Sequence, residues 1–270
     1  MREHAKKFLS SLTANRFSQR LLERLISAEQ WLMGIGSGGV PETSGEGVVV
    51  SLLRSKAKKS NRPLSVFDVG ANQGQFLSML LRGLNGVPLR VHAFEPSSSA
   101  FQILNDAHRA DTRLKLNHFG LGSRNGEMTL YSNEDASGIA SLYDRRLDHF
   151  GLALSRTEKV TIDTLDEYCD REHVDSIDLL KLDVEGHELD VIRGGEKLFA
   201  KGAVDVVTFE FGGTNIDSRS FFQDFFYFFK QHKFDVFRIT PSGYLAPVPE
   251  YREVYEQFRT TNFLARKGVV

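Results

Sequence analysis

Cysteine is almost absent from the sequence, and long apolar runs are absent altogether. Cys169 is the single cysteine among 270 residues, so neither an intramolecular disulfide nor a cysteine-rich zinc site can form. No run approaches the ~18 to 20 consecutive apolar residues that a membrane-spanning helix requires. The N-terminal residues also lack the continuous apolar core of a secretory signal. We therefore expect a protein of the reducing cytoplasm.

An excess of charge of either sign is missing as well. The chain has 34 Lys and Arg residues against 35 Asp and Glu residues, which gives a net charge of −1. A balanced chain with a pI near 6.7 is a poor match for binding a nucleic-acid phosphate backbone, so we expect no nucleic-acid partner. The 41% of hydrophobic residues is typical of a globular protein, here one large domain with a modest appendage.

The first 62 residues differ in pattern from the rest and are predicted to form an N-terminal helical extension with a glycine-rich linker. Residues 1–33 show apolar residues at helical spacing, with six basic and three acidic side chains. We interpret them as helices that pack on the main domain or on a second subunit; a membrane-surface helix is the alternative. Residues 34–47 hold six glycines and one proline, as in a linker or mobile loop, and a lid over a site is the alternative.

From Pro63 onward, short apolar runs alternate with stretches of helical spacing. This alternation predicts a Rossmann-like, doubly wound α/β domain over residues 63–270, with a mainly parallel sheet covered by helices on both faces. The predicted helix Ser220–Gln231 holds six of the 21 phenylalanines, most of them on one stripe. We expect this stripe to cover the sheet; an aromatic substrate pocket or a dimer face is the alternative.

A glycine turn after the first strand is the strongest chemical signal. An apolar strand ends in Asp68, and the turn that follows contains Gly70, Ala71, Asn72 and Gly74. The two glycines let the backbone approach a ligand at the carboxyl end of the strand, where doubly wound sheets bind nucleotides. The next strand ends in Glu95 and Pro96, and an acid at this position can accept hydrogen bonds from the ribose of an adenosine ligand.

The charges around this turn distinguish between adenosine ligands. Asn72 replaces the middle glycine of the dinucleotide motif, and Asp68 stands two residues before Gly70. An anion is unfavourable beside a pyrophosphate and favourable beside an ammonium group. S-adenosylmethionine carries an amino group and no phosphate, so the pattern favours it over a nicotinamide cofactor.

A second cluster of ionisable residues follows a later strand. Asp183, Glu185 and His187 come after the apolar run that ends at Leu182, and a hydroxyl acceptor benefits from a general base of this kind. Glu188 has helix capping as an equal alternative. Glu210 ends the next strand, where we rank substrate contact first, a structural acid second and a divalent metal ligand third. The polar stretch around Ser137 and Gly138 is expected to form one wall of the substrate site.

The chain resembles the FkbM-type, S-adenosylmethionine-dependent methyltransferases of class I over about residues 63 to 267. The motifs that carry the resemblance are Phe67–Gly74, Phe94–Pro96, Asn117–Gly122 with Gly126, Thr164–Asp166, Leu182–Glu188 and the strand around Asn262–Leu264. It implies a seven-stranded sheet with an antiparallel last strand, and O-methylation, often of sugar hydroxyls in glycans or natural products. By the same resemblance, Gly120, Leu121 and Asp183 complete the cofactor site.

Other functions stay open at the level of sequence. One alternative is a nicotinamide-dependent oxidoreductase, and Asn72 counts against it. The other is a non-catalytic nucleotide-binding or interaction protein, and the acids around Asp183 count against that one. The acceptor is expected to be a small molecule or a glycan, and N-methylation stays possible. A homo-oligomer could form through the N-terminal helices or the phenylalanine-rich helix.

Overall fold

The computed structural model describes residues 2–39 and 44–268 and folds them around two β-sheets. The strands are β1 (Leu64–Val69), β2 (Leu89–Phe94), β3 (Leu114–Asn117), β4 (Gly120–Gly122), β5 (Gly126–Ser132), β6 (Arg156–Thr164), β7 (Leu179–Leu182), β8 (Val206–Phe211), β9 (Phe234–Ile239), β10 (Leu245–Val248) and β11 (Thr261–Lys267). The helices are α1 (Arg2–Thr13), α2 (Arg16–Leu32), α3 (Val48–Ala57), α4 (Gln75–Gly83), α5 (Ser98–His108), α6 (Leu165–Glu172), α7 (Glu188–Arg193), α8 (Glu196–Ala200), α9 (Thr214–Ser218) and α10 (Phe222–Gln231).

Eight strands form the central sheet in the order β10-β9-β11-β8-β7-β1-β2-β3. β10 and β11 run antiparallel to the other six, so the predicted doubly wound fold with an antiparallel last strand is confirmed. The sheet has eight strands and not seven, because a turn at Gly243 (φ +77°) folds the chain after β9 back into an additional edge strand. All four residues of β7 are buried, as expected for a parallel strand covered on both faces.

A separate three-stranded sheet has the order β4-β6-β5. Residues 127–131 form one of the short apolar runs after Pro63 that we expected in the main sheet, but they lie within β5 and therefore outside it. The burial pattern explains this position, because Leu130 is the one fully buried residue of β5 and the others face partly or wholly outward. A strand with one covered face suits a small antiparallel pairing such as β5 with β6 better than a doubly covered sheet.

The phenylalanine-rich helix α10 covers the central sheet, as its stripe predicts. Phe222, Phe225, Phe226 and Phe229 are buried, and the ring of Phe225 stacks on that of Phe209 in β8 at a centroid distance of 4.9 Å. These four rings belong to the core, whereas Phe221 at the start of the stripe is 49% exposed. The opposite face of the sheet has its own core, to which α3 contributes Val49 and Leu53. Helix α3 therefore belongs to the α/β core although it precedes Pro63.

The N-terminal helices α1 and α2 differ from the rest in how little they bury. Helix α2 has no buried residue, and the apolar side chains that stay exposed on the pair include Phe8, Leu12, Phe17, Leu21, Leu25 and Leu32. Within the described residues, this zone contacts the main domain at its end, where the side chain of Gln30 bonds those of Gln257 and Arg259. Packing of the remaining part on a second subunit stays a prediction. Every helix within residues 2–39 and 44–268 is too short or too polar to cross a membrane.

Candidate active site

The carboxyl ends of four parallel strands meet at one edge of the central sheet. β8, β7, β1 and β2 lie side by side, and the register pairs Val69 with both Phe94 and Leu182. Residues that follow these strand ends are therefore neighbours in space although they are far apart in the chain. The convergence brings together Gly70, Glu95, Asp183 and Glu210. This is the edge at which open α/β sheets bind their ligands.

A narrow cleft opens at this edge, between the central sheet and the small sheet. Of the residues predicted to bind a cofactor, those that line it are Gly70, Asn72, Glu95, Pro96, Gly120, Leu121 and Asp183. Phe94, Leu130 and Leu142 add apolar surface to the cleft. Ser137 and Gly138 line it as well, and the role expected for this polar stretch, as a wall of the substrate site, stays a prediction.

The turn after β1 has the close approach that its glycines predict. Gly70 has a φ of +81°, and a Cβ atom on it would lie 1.9 Å from the backbone oxygen of Asp183. Gly74, also left-handed, occupies the N-cap of α4 and packs near Leu104 and His108, and Ala71 lines a neighbouring cavity. Gly70 thus shapes the cleft directly, and Gly74 serves the turn into the helix.

Glu95 is fixed in the cleft by two backbone amides. The amide of Asn72 donates to one carboxylate oxygen and the amide of Ser97 to the other, each over 2.8 Å. A carboxylate has about four acceptor positions, so further donors can still bind. Burial raises the pKa of Glu95 to about 7, and the two amide hydrogen bonds oppose that rise. The side chain is oriented before any ligand arrives.

Asp68 lies in the interior, where it faces a buried lysine. Asp68 is 0% exposed, and the Nζ of Lys181 lies 3.8 Å from its Oδ1 and 3.0 Å from the Oδ2 of Asp183. The ammonium group also lies 5.0 Å from the ring centroid of Phe76. Burial raises the pKa of Asp68 to about 6, and the charge of Lys181 opposes the rise. The ammonium that Asp68 faces in the folded chain is thus that of Lys181.

Asp183 and Glu185 project from the turn after β7 toward open space. The side chain of Asp183 is 44% exposed, and Lys181 holds one of its oxygens. Glu185 adopts a positive φ of +51°, and its carboxylate accepts a hydrogen bond of 2.7 Å from the Nη1 of Arg145. Burial raises the pKa of Glu185 to about 8, and the charge of Asp183 adds to the rise while that of Arg145 opposes it. Two acids with different environments therefore stand side by side.

His187 and Glu188 take different roles in the same turn. His187 lines the narrow cleft, its Nδ1 lies 3.0 Å from the hydroxyl of Tyr143, and burial lowers its pKa. The imidazole is therefore neutral near pH 7 and can accept a proton. Glu188 is buried, and its carboxylate accepts hydrogen bonds from the amides of Val184 and Gly186. Glu188 therefore holds the turn that precedes α7 in place.

A wide cavity of about 690 Å³ adjoins the narrow cleft. Gly70, Asn72, Gly138, Asp183 and Glu185 line both spaces, so the two meet at the turns after β1 and β7. The wide cavity also presents two further acids, three cationic groups and several rings, which are Glu46, Glu210, Arg145, Lys181, Arg259, Phe76, Phe150 and Phe258. Such a lining offers many hydrogen-bonding groups beside flat apolar surfaces.

Glu210 is a half-buried acid in the wide cavity, near the end of β8. Burial raises its pKa well above the usual range, and the charges of Asp183 and Glu185 act in the same direction. A carboxyl that holds its proton can donate as well as accept a hydrogen bond. Within the described part of the chain, no three His, Cys, Asp or Glu side chains are grouped as a metal site.

Three charged residues that line or border the site, Arg145, Glu46 and Lys181, were not predicted from the sequence. Arg145 and Glu46 lie in loops without a recognisable motif, and contact with the cavity depends on how the chain folds over the sheet. Lys181 did leave a signal, because it interrupts the otherwise apolar strand Leu179–Leu182. A buried lysine is costly unless anions surround it, and Asp68 and Asp183 supply them.

The chain is similar to known proteins of one family. Residues 68–236 match the model of the methyltransferase FkbM domain. The chain is 28% identical over 158 residues to the hexuronic acid methyltransferase AglP of Haloferax volcanii, with 57% of this chain and 58% of that protein aligned. It is 26% identical over 193 residues to the 2-O-methyltransferase NoeI of Sinorhizobium fredii, with 66% of this chain and 74% of that protein aligned.

A solved structure, the methyltransferase FkbM from Methylobacillus flagellatus, is 16% identical, with a TM-score of 0.47 over 75% of this chain and 43% of that one. The alignment with the Haloferax protein spans under two thirds of that protein's length.

The family match covers more than half of this chain and includes Glu95, Asp183 and Glu210. It counts against the oxidoreductase and the non-catalytic alternatives. The chain belongs to the FkbM methyltransferase family.

Proposed function

We propose that the protein transfers the methyl group of S-adenosylmethionine to a hydroxyl of a carbohydrate, as part of a glycan or a natural product. The observation that carries this proposal is the junction at Asp183 and Glu185, where a narrow cleft suited to an adenosine ligand opens into a wide, polar cavity. A methyl transferase needs two such spaces with one shared point, because the donor and the acceptor must meet in line.

The residues that line the narrow cleft suit the chemistry of S-adenosylmethionine. Glu95 offers free acceptor positions to two ribose hydroxyls, and Leu121 and Phe94 offer apolar surface to an adenine ring. The Oδ1 of Asn72 is buried and has no hydrogen-bond partner among the described residues, so it suits a donor such as the amino group of the cofactor. When bound, the cofactor supplies a methyl group on a positively charged sulfur.

The chain's own residues supply the proton acceptor. Asp183 lines both spaces, is partly exposed, and is held by Lys181, so it is the first candidate for the general base that takes the hydroxyl proton. Glu185 stands beside it, but its raised pKa leaves it mostly protonated near pH 7. His187 is neutral and lines the narrow cleft alone, which places it farther from the acceptor.

The wide cavity fits a polyhydroxylated acceptor. Ionised and protonated carboxyl groups both accept hydrogen bonds from hydroxyls, and Glu46, Asp183 and Glu185 all line this space. The rings of Phe76, Phe150 and Phe258 can pack on the apolar face of a sugar. The names of the two relatives, a hexuronic acid methyltransferase and a 2-O-methyltransferase, agree with such an acceptor.

The test is transfer of an isotopically labelled methyl group to a panel of glycosides, followed by mass spectrometry of the products. The panel pairs each hydroxylated sugar with its deoxy and amino analogues. We expect a labelled methyl ether at one hydroxyl, and no product from the analogue that lacks that hydroxyl. Transfer to amines alone, or to no glycoside in the panel, would contradict the proposed acceptor class.

A further inference from the structure

The glycine-rich segment of residues 34–47 lies against the wide cavity in its described parts, 34–39 and 44–47. The amides of Gly36 and Gly38 both donate to the backbone oxygen of Thr260. At Gly45, with a φ of +82°, a Cβ atom would lie 2.0 Å from the backbone oxygen of Thr240. The glycines are thus needed for close packing on the loops beside β9 and β11. Gly36, Gly38 and Gly39 line the wide cavity.

This segment places one acid in the cavity. Glu46 is 7% exposed, one of its carboxylate oxygens accepts a hydrogen bond of 2.9 Å from the hydroxyl of Ser44, and its side chain lines the cavity. Burial raises the pKa of Glu46; the positive charge of Lys181 lowers it and the negative charge of Asp183 raises it. Ser44 satisfies one acceptor position of several, so Glu46 keeps capacity for donors from within the cavity.

A counter-charge for Lys181 is the plain structural explanation for a buried acid here. That need is already met, because Asp183 lies 3.0 Å and Asp68 lies 3.8 Å from the Nζ of Lys181. A third carboxylate in the same field is repelled by the other two. Burying Glu46 is therefore unfavourable in the free protein, and donors from a ligand would relieve it.

We propose that Glu46 binds a hydroxyl of the acceptor and so acts as a specificity-determining residue that the N-terminal segment contributes to the site. The matched family domain begins at residue 68, so Glu46 stands outside it. Arg259, which the side chain of Gln30 contacts, lines the same cavity and is also outside the matched region. The acceptor side of the site is thus built in part from segments that flank the family domain. This inference rests on the proposed function.

The experiment compares the wild type with Glu46→Gln and, as a matched control, Glu29→Gln, which makes the same change at an exposed position of α2. Once the panel above has identified an acceptor, KM and kcat for it are measured, together with the affinity for S-adenosylhomocysteine. We expect Glu46→Gln to raise the acceptor KM by about ten- to a hundredfold, because a hydrogen bond to a charged group is lost. Cofactor affinity and kcat should change far less, and the control should match the wild type.

Deoxy analogues of the acceptor give a second measurement, which would not change if Glu46 had only a structural role. The analogue that lacks the hydroxyl bound by Glu46 should have a higher KM than the parent sugar with the wild type. With Glu46→Gln, the two KM values should be equal. An unchanged acceptor KM with no change in analogue preference would overturn the role of Glu46 and leave the proposed function intact. Absence of glycoside turnover by the wild type would overturn both. If Glu46→Gln does not bind S-adenosylhomocysteine, Glu46→Asp replaces it, with the same expectations and the same contradicting result.

Discussion

Two backbone amides hold the carboxylate of Glu95 in the narrow cleft. If it binds the ribose, Glu95→Ala should weaken the affinity for S-adenosylhomocysteine by about ten- to a hundredfold, since each hydrogen bond to a charged group contributes about 1.5 to 3 kcal/mol. Calorimetric titration measures this directly. Glu127→Ala, on the exposed part of β5, is the control and should bind like the wild type. Wild-type affinity in Glu95→Ala would refute the ribose assignment.

The raised pKa of Glu95 adds a pH dependence to the same measurement. Burial brings this pKa to about 7, and ribose hydroxyls donate best to the ionised form. Affinity should therefore fall by up to about tenfold per unit as the pH decreases below 7, because the proton and the ligand compete. Glu95→Gln should flatten the profile. A profile that keeps its slope in Glu95→Gln would assign the dependence to another group.

Residues that follow strand ends were accessible to prediction, and residues in loops were not. Glu95, Asp183 and Glu210 each end an apolar run, and parallel strands place such positions at one edge. Lys181 lies within a strand and Glu46 lies in a glycine-rich segment, so their contacts depend on tertiary packing. Asp68 shows the converse: we expected it beside the ammonium group of the cofactor, but its side chain is buried and faces Lys181.

At the scale of elements, α10 shows how a stripe of one residue type fixes a helix on a sheet. Phe225 is fully buried and stacks on Phe209, whereas Phe221 is 49% exposed. Phe225→Ala should lower the free energy of unfolding by about 3 to 5 kcal/mol, because it removes a buried ring and leaves a cavity. Phe221→Ala should cost about 1 kcal/mol or less. Urea unfolding measures both, and equal effects would contradict this packing.

The nine-residue strand β6 was not predicted from the sequence, and neither were two short strands that lack a strong period. β10 has four residues with only Val248 buried, so its apolar pattern is too short to identify it. β4 has three residues and forms part of the cleft wall through Gly120 and Leu121. Long helices and buried parallel strands were predicted because burial on one or both faces imposes a pattern. Short edge strands carry no such pattern.

At the scale of the whole molecule, the N-terminal helices are joined to the rest mainly through the end of α2. Removal of residues 1–27, which leaves Gln30 in place, should not change the affinity for S-adenosylhomocysteine, because α2 buries no residue. The exposed apolar side chains favour association with a second copy, so the full chain should sediment as a larger assembly than the shortened one.

Flotation with anionic vesicles distinguishes association with a second copy from binding to a membrane surface. The zone has six basic and three acidic residues, a small excess for binding to a lipid surface, so we expect no co-flotation. Salt-sensitive co-flotation that requires residues 1–27 would contradict association with a second copy as the role of this zone. Loss of cofactor binding in the shortened chain would show that the helices support the domain.

The whole account depends on methyl transfer at the junction of the two spaces, and the single-turnover rate of Asp183→Asn tests it most directly. This variant keeps size and hydrogen bonding while it removes the charge. The rate of transfer should fall by about 10² to 10⁴, as for the loss of a general base, with little change in the affinity for S-adenosylhomocysteine. The exposed Asp175→Asn should keep the wild-type rate. Near-wild-type rates in Asp183→Asn, Glu185→Gln and His187→Ala alike would contradict the account, and the base would then be sought at Glu210.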